Sequence, residues 1–286
     1  MVIKVSLFSK IARAVVKILA LIFTISLILW FLFPFYWSFV TSFKHPTDWL
    51  TSKFIPFVDF SPSLITWERC LKLPETQRAL LNNLTISTST ATLALLLGTP
   101  AAYSLARFQF RKWKNRDIAT FILTLRMIPP AVVIVPFFML MSSLQLLDSW
   151  LGIVLVHTTF ALPFAVWIMR EFFLDLPKEY EEAALIDGGS YLTAFLRIAL
   201  PLATPGLIAT WIFCQVFSWN EFLFVLILSY SKSITLPWII ASGEHSRGIE
   251  WGLISAYTIL AIIIPITLAI LIRKYLARGL SFGVVR

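Results

Sequence analysis

Six stretches of this chain run for 21 residues or more without a single Lys, Arg, Asp or Glu: 18–43, 79–106, 127–147, 149–169, 198–220 and 251–272. About 20 apolar residues of helix cross a hydrocarbon core of about 30 Å. Lipid offers no partner to a backbone N–H or C=O, so a spanning segment is a helix or part of a closed barrel. A barrel would show segments of about 10 residues in alternation, and the sequence has none. An all-α, polytopic membrane protein with six transmembrane helices is therefore expected. The third helix has room to begin near Ile118, where only Arg126 interrupts an apolar stretch, and the fifth run continues past the single acid Glu221 to Tyr230. Composition agrees, since 58% of the residues are apolar and only 14% are charged, against about 25% in a soluble domain.

The first run is too long for a cleaved signal peptide, and no small-residue cleavage site follows it. Its far end reads WFLFPFYWSF, which resembles an aromatic interface belt. Basic residues set the expected orientation. Lys4, Lys10, Arg13 and Lys17 precede the first run; Arg107, Arg111, Lys112, Lys114 and Arg116 follow the second; Arg273, Lys274, Arg278 and Arg286 follow the sixth. Short loops rich in Lys and Arg stay in the cytoplasm. This places residues 1–17 and 276–286 inside, 18–43 as the first span, 44–78 as an outer loop and 79–275 as a five-helix core in a plasma or inner membrane. The net charge of +9 is thus a topology signal and not a nucleic-acid footprint. Cys70 and Cys214 form no framework or metal set.

One polar element has a definite design. Between the fourth and fifth runs lies REFFLDLPKEYEEAALIDGGSYLTAFLRIALPLATPG. Asp175 is placed to cap a helix with Pro177 in its first turn. Glu179, Glu181 and Glu182 sit where the helix dipole favours acids. Tyr180, Ala183, Ala184 and Asp187 share a face by their spacing. Gly188 and Gly189 can end the helix, and Ser190 can cap a second one running toward Ile198. Paired alanines leave a thin helix that fits a groove, and Glu182 and Asp187 offer acids to a basic partner. Helices that lie on lipid are usually basic, and this one is acidic.

This segment, residues 175–201, resembles the EAA loop of binding-protein-dependent ABC importers. Glu182-Ala183-Ala184, Gly188, Ile198 and Leu200-Pro201 fall in register with the family pattern. Seven fixed positions are matched by chance in roughly one chain in 10⁵ or fewer. Asp187 before Gly188 resembles the sugar-importer variant of the loop. MIPP at Met127–Pro130, ALPF at Ala161–Phe164, WNEF at Trp219–Phe222, TLP at Thr235–Pro237 and GLSFGV near the C-terminus are similar to maltose-type sugar permeases, especially the shorter membrane subunit. One departure is the second glycine, Gly189, where the family more often has Ala; it is expected to loosen the turn without abolishing docking.

The resemblance implies a type I permease that pairs with a second permease subunit. Two ATPase subunits would bind ATP and Mg, and an outer binding protein would deliver a sugar. By the same analogy Glu182, Ala183, Ala184, Asp187, Gly188 and Pro201 form the ATPase-coupling element, with Gly279–Arg286 as a further contact. The chain itself has no G-x-x-x-x-G-K-[ST] stretch to cradle phosphates, and no catalytic residue, cofactor or metal site is expected on it. His45, His157 and His245 are read as loop or span-end residues. Asn83-Leu84-Thr85 matches a glycosylation pattern at a disfavoured position. Candidate pathway residues are Trp219, Asn220, Glu221 and Gln215, with the Thr/Ser cluster Thr85–Thr92 behind them. Glu221 has two readings: a pathway or gate residue, since an ionisable group in lipid faces a bundle interior or water, or a packing residue bonded to another span. Rival readings are a permease for a polyol, glycerol phosphate or amino acid, and a standalone secondary transporter, which would need inverted repeats that are absent.

Overall fold

The computed structural model describes residues 7–242, 244–245 and 248–281. The helices are α1 (Leu7–Ser42), α2 (Ile65–Lys72), α3 (Pro74–Arg107), α4 (Asn115–Thr124), α5 (Pro130–Ser143), α6 (Trp150–Asp175) and α7 (Glu179–Ile186). They continue with α8 (Tyr191–Ala194), α9 (Leu200–Leu202), α10 (Thr204–Trp219), α11 (Leu223–Leu228), α12 (Leu236–Ala241) and α13 (Trp251–Ser281), with a pair of two-residue strands at Glu244–His245 and Gly248–Ile249. Two compact units result: Met1–Cys70 with His245–Ile259, and Leu71–Glu244 with Leu260–Arg286.

Among the described residues four helices, α1, α3, α6 and α13, are each long and apolar enough to cross a membrane; two bent pairs bring the number to six if each is one span. The third and fifth runs are the bent ones, at or next to the Pro129-Pro130 and Pro205-Gly206 pairs, where proline is expected to kink a span. Asn115–Met127 meets Pro130–Ser143 at 86°. Pro129 and Pro130 donate no backbone hydrogen bond, and the residue before a proline is driven out of the helical region; Ile128 accordingly has ψ 119°. Tyr191–Leu202 meets α10 at 75°, through a π-turn at Phe195–Ala199 and a break at Ala203.

In the larger unit α3, α6 and α10 form the core. Small residues recur on α3 at Ala91, Ala94, Gly98 and Ala102, all buried against Ala161 and Ala165 of α6 and their neighbours. Lipid supplies no hydrophobic drive between helices, so close packing by small residues takes its place. A Cβ added at Gly98 would stand 2.9 Å from Ala165 Cβ, which leaves no room for a larger side chain. At the α6 N-terminus, Asp148 (φ 51°) is buried. Its carboxylate accepts from the backbone N–H groups of Lys232 (2.9 Å), Ser233 (3.1 Å), Ser231 (3.2 Å) and Tyr230 (3.3 Å). Burial alone would raise its pKa; those four donors outweigh burial and hold it down at about 2. This one acid pins the loop after α11 to the α5–α6 turn.

In the smaller unit α1 is exposed from Ala14 to Phe35, an apolar surface suited to lipid. The segment after it is more than an outer loop, since it folds around Lys44, which is fully buried. The Lys44 ammonium donates to Thr51 O at 3.1 Å and lies 4.1 Å from the Trp37 ring centroid; burial lowers its pKa.

Candidate functional site

Helix α7 is eight residues long, too short to be stable alone, so its position depends on what holds it. Three acids in its first turn, Glu179, Glu181 and Glu182, favour the N-terminal end of the dipole. Its C-terminus closes with Gly188 at φ 87°. Gly188 N donates to Leu185 O at 3.1 Å and Gly189 N to Ala184 O at 2.9 Å, the bonding pattern of a Schellman cap. The expectation that Gly189 loosens this turn is corrected: a Cβ there would stand 2.6 Å from Ala184 O, so the second glycine permits the tight closure. Asp175 does not cap α7 either. It is the last residue of α6, and Lys178 is the N-cap position, because Leu176 and Pro177 carry the chain between the helices. Ser190 does cap α8, accepting from Thr193 N at 3.2 Å, and the helical path continues past Ile198 to Leu202.

The tie between α7 and the spans is Glu181. Its side chain is 8% exposed and that of its partner Arg107 is 7% exposed. Arg107 Nη2 lies 2.8 Å and Nε 2.9 Å from Glu181 Oε1, and Tyr103 donates its hydroxyl to Oε2 at 2.7 Å. Arg107 Nη2 also donates to Leu176 O at 3.1 Å. Tyr103 is packed among Phe108, Phe173 and Phe195. The charge-assisted bonds therefore join α7 to α3 and to the end of α6. Glu181, read from the sequence only as one of three first-turn acids, is the one that makes this tie. The available signal was Tyr103 and Arg107, four residues apart and so on one face of α3.

The family-pattern residues lie on the other side. Glu182, Ala183, Asp187 and Gly188 are exposed, Ala184 is half-buried, and Pro201 sits exposed in α9. Ile186 is 86% exposed. The helix is thus held by one acid and presents a thin edge carrying one bare apolar side chain and two acids.

Inside the spans, His157 of α6 is buried, contrary to the expectation of a span-end position, because polar partners meet it there. His157 Nδ1 lies 2.7 Å from Ser218 Oγ and Nε2 lies 3.0 Å from Glu221 Oε2. Glu221 Oε1 also accepts from Leu223 N at 2.9 Å and Phe224 N at 3.2 Å, capping α11. The Glu221 carboxylate is thereby bonded both to another span and to the helix that follows it. Trp219 is fully buried, its Nε1 donating to Ala261 O at 2.9 Å. Gln215 is buried and donates to Ser87 Oγ at 3.2 Å. Of the four candidates, Asn220 alone is exposed, its side chain bonded to Val216 O. In the Thr/Ser cluster, Thr92 Oγ accepts from Trp211 Nε1 at 3.1 Å. Asn83 is buried, with Nδ2 3.4 Å from Trp219 O, so it is not displayed as a glycan acceptor. At the break in the third span, Arg126 lies 4.5 Å from the Phe217 ring centroid, a favourable cation–π distance. Phe282–Arg286 of the tail lies outside the described residues. Among the described residues no group of His, Cys, Asp and Glu has the arrangement of a metal site.

Long apolar helices, two bent pairs and a short acidic helix tied to the ends of α3 and α6 define a membrane permease. Residues 94–282 match the family model of binding-protein-dependent transport system inner membrane components, and the chain belongs to that family. It is 32% identical to the trehalose transport system permease protein SugB of Mycobacterium tuberculosis, over 89% of this chain and 92% of that one. It is 31% identical to the trehalose/maltose transport system permease protein MalG of Thermococcus litoralis, over 94% and 97% of the two chains. Its fold is similar to a chain of the bacterial ABC transporter involved in the import of the acidic polysaccharide alginate, with a TM-score of 0.75, 23% identity and coverage of 94% and 98%.

Proposed function

We propose that this chain is the translocation subunit of an ATP-driven importer that carries a disaccharide or oligosaccharide inward. The trehalose and maltose systems of its relatives support the choice of sugar. Its partners are a second permease subunit, two ATPase subunits that bind ATP with Mg, and an extracytoplasmic binding protein. The basic loop at Arg111–Arg116, helix α7 and both termini face the cytoplasm, in keeping with the positive-inside rule.

The observation that carries the reading is the two-sided character of α7. Glu181 fixes it to α3 through Arg107 and Tyr103. Its other edge, Glu182, Ala183, Ile186, Asp187 and Gly188, is bare. A groove on the ATPase takes that edge. When the ATPase pair closes, α7 is displaced, and the buried ion pair passes the displacement to α3 and α6 as rigid helices. Asn220 borders the sugar's path, while Trp219, Gln215 and Glu221 hold the spans that line it. The test is uptake of labelled trehalose and maltose, with ATP hydrolysis followed in parallel, by the complete complex in proteoliposomes. Uptake coupled to binding-protein-stimulated hydrolysis supports the reading. Hydrolysis unaffected by either sugar, with no uptake, would reject it as to substrate.

A further inference from the structure

Beside α7, a cavity of about 390 Å³ opens between the ends of α3 and α6 and the loop into α4. Its lining includes four cations, Arg107, Lys114, Arg170 and Lys178, together with Asn115 and Phe110. Arg107 keeps one nitrogen free: Nη1 is buried without a hydrogen-bond partner, while Nε and Nη2 hold Glu181 and Leu176. Arg170, 9% exposed overall, gives Nη1 to Glu171 at 2.7 Å and leaves Nε buried and unpartnered. Among the described residues neither Lys114 nor Lys178 has an ion-pair partner, and both are exposed at the rim. Two acids offset two of the four charges and the other two are uncompensated.

A buried guanidinium N–H without an acceptor is costly. A cavity walled by two such guanidinium groups and ringed by unpaired ammonium groups has the charge to hold a phosphate oxyanion. The rim adds exposed Phe110, with Trp113 67% exposed three residues on, aromatic residues of the kind found at headgroup level. From this geometry we infer that the cavity binds the phosphate of an anionic lipid headgroup, with the guanidinium groups of Arg107 and Arg170 supplying positive charge from its wall and Lys114 and Lys178 closing over it. A free phosphate ion has the same oxyanion chemistry. The inference does not depend on the transported solute.

The experiment uses the chain purified in its native complex. Native mass spectrometry counts lipid retained after incubation with phosphatidylglycerol or phosphatidylcholine, and thermal unfolding is followed with inorganic phosphate against chloride. The expected result is retention of phosphatidylglycerol at least about tenfold above phosphatidylcholine. The preference should fall by about the same factor in Lys114→Gln/Lys178→Gln, whose substituted side chains are exposed and outside the core. Arg170→Gln should abolish it. Stabilisation by inorganic phosphate without lipid retention, lost in the same variants, supports the phosphate site and assigns it to the free ion. No preference for phosphatidylglycerol and no response to phosphate, or retention equal in the Lys114→Gln/Lys178→Gln variant, overturns the inference.

Discussion

Replacing Glu181 by Ala removes the acceptor for three bonds of 2.7 to 2.9 Å. The Arg107 guanidinium stays where it is, 7% exposed, with Leu176 O as its one remaining partner. Stranding a buried charge in this way costs about 3–5 kcal/mol. An eight-residue helix has no reserve of its own to absorb that loss. The closed, docked state of α7 should therefore weaken by roughly 10²- to 10⁴-fold. Hydrogen exchange of the Asp187, Gly188 and Gly189 amides, which donate to Ala183, Leu185 and Ala184, reads this directly in the chain purified free of its ATPase partners. Glu181→Gln keeps an acceptor and gives up the charge, so its loss should be smaller, roughly 1–3 kcal/mol. Glu182→Ala, on the exposed edge, should leave the exchange of these amides unchanged. The reasoning is refuted if α7 amides in Glu181→Ala exchange within about 1 kcal/mol of the native chain, or if Glu182→Ala loosens them as much.

Three further outcomes are expected. Gly188→Ala, at φ 87° with open space around the added Cβ, should lose about 1–2 kcal/mol of α7 docking from backbone strain alone, and Gly189→Ala should also loosen the cap because its Cβ meets Ala184 O; exchange at the same amides checks both. Gly98→Val should lower thermal stability in detergent by about 1–3 kcal/mol, since the α3–α6 contact has no space for it, whereas Gly98→Ala should do less. The Asp148 carboxyl, held at about 2 against an ordinary 3.8, should contribute roughly 2 kcal/mol that is fully present above pH 3.8 and lost as pH falls through about 2; acid unfolding of Asp148→Asn against the native chain should show the difference between them closing over that window.

Four of the spans, α1, α3, α6 and α13, were legible because a helical run of 21 residues without charge suits a lipid core and little else. Prolines mark where a span can kink, at Pro129-Pro130 and Pro205, but windows of hydropathy do not show how far it turns, here 86° and 75°. The helix–glycine–helix design of residues 179–202 was legible because caps and acids announce it locally. The long-range pairs were not. Glu181 meets Tyr103 and Arg107 from more than 70 positions away, and Asp148 gathers the 230–233 amides from more than 80. In a row of neighbouring carboxylates nothing local distinguishes the one that turns inward. His157 was misread for the same reason: its partners, Ser218 and Glu221, lie on a different span.

The central claim is that the bare edge of α7 is where the ATPase engages. Its most direct measurement is purification of the tagged chain from native membranes in mild detergent, with mass spectrometry of what accompanies it, for the native chain and for Glu182→Lys/Ala183→Arg. Both substituted positions are exposed, so the fold should survive. The account predicts an ATPase and a second permease with the native chain, and loss of the ATPase alone from the variant. A chain that emerges without an ATPase even after crosslinking, or a variant that keeps its ATPase in full, would contradict it.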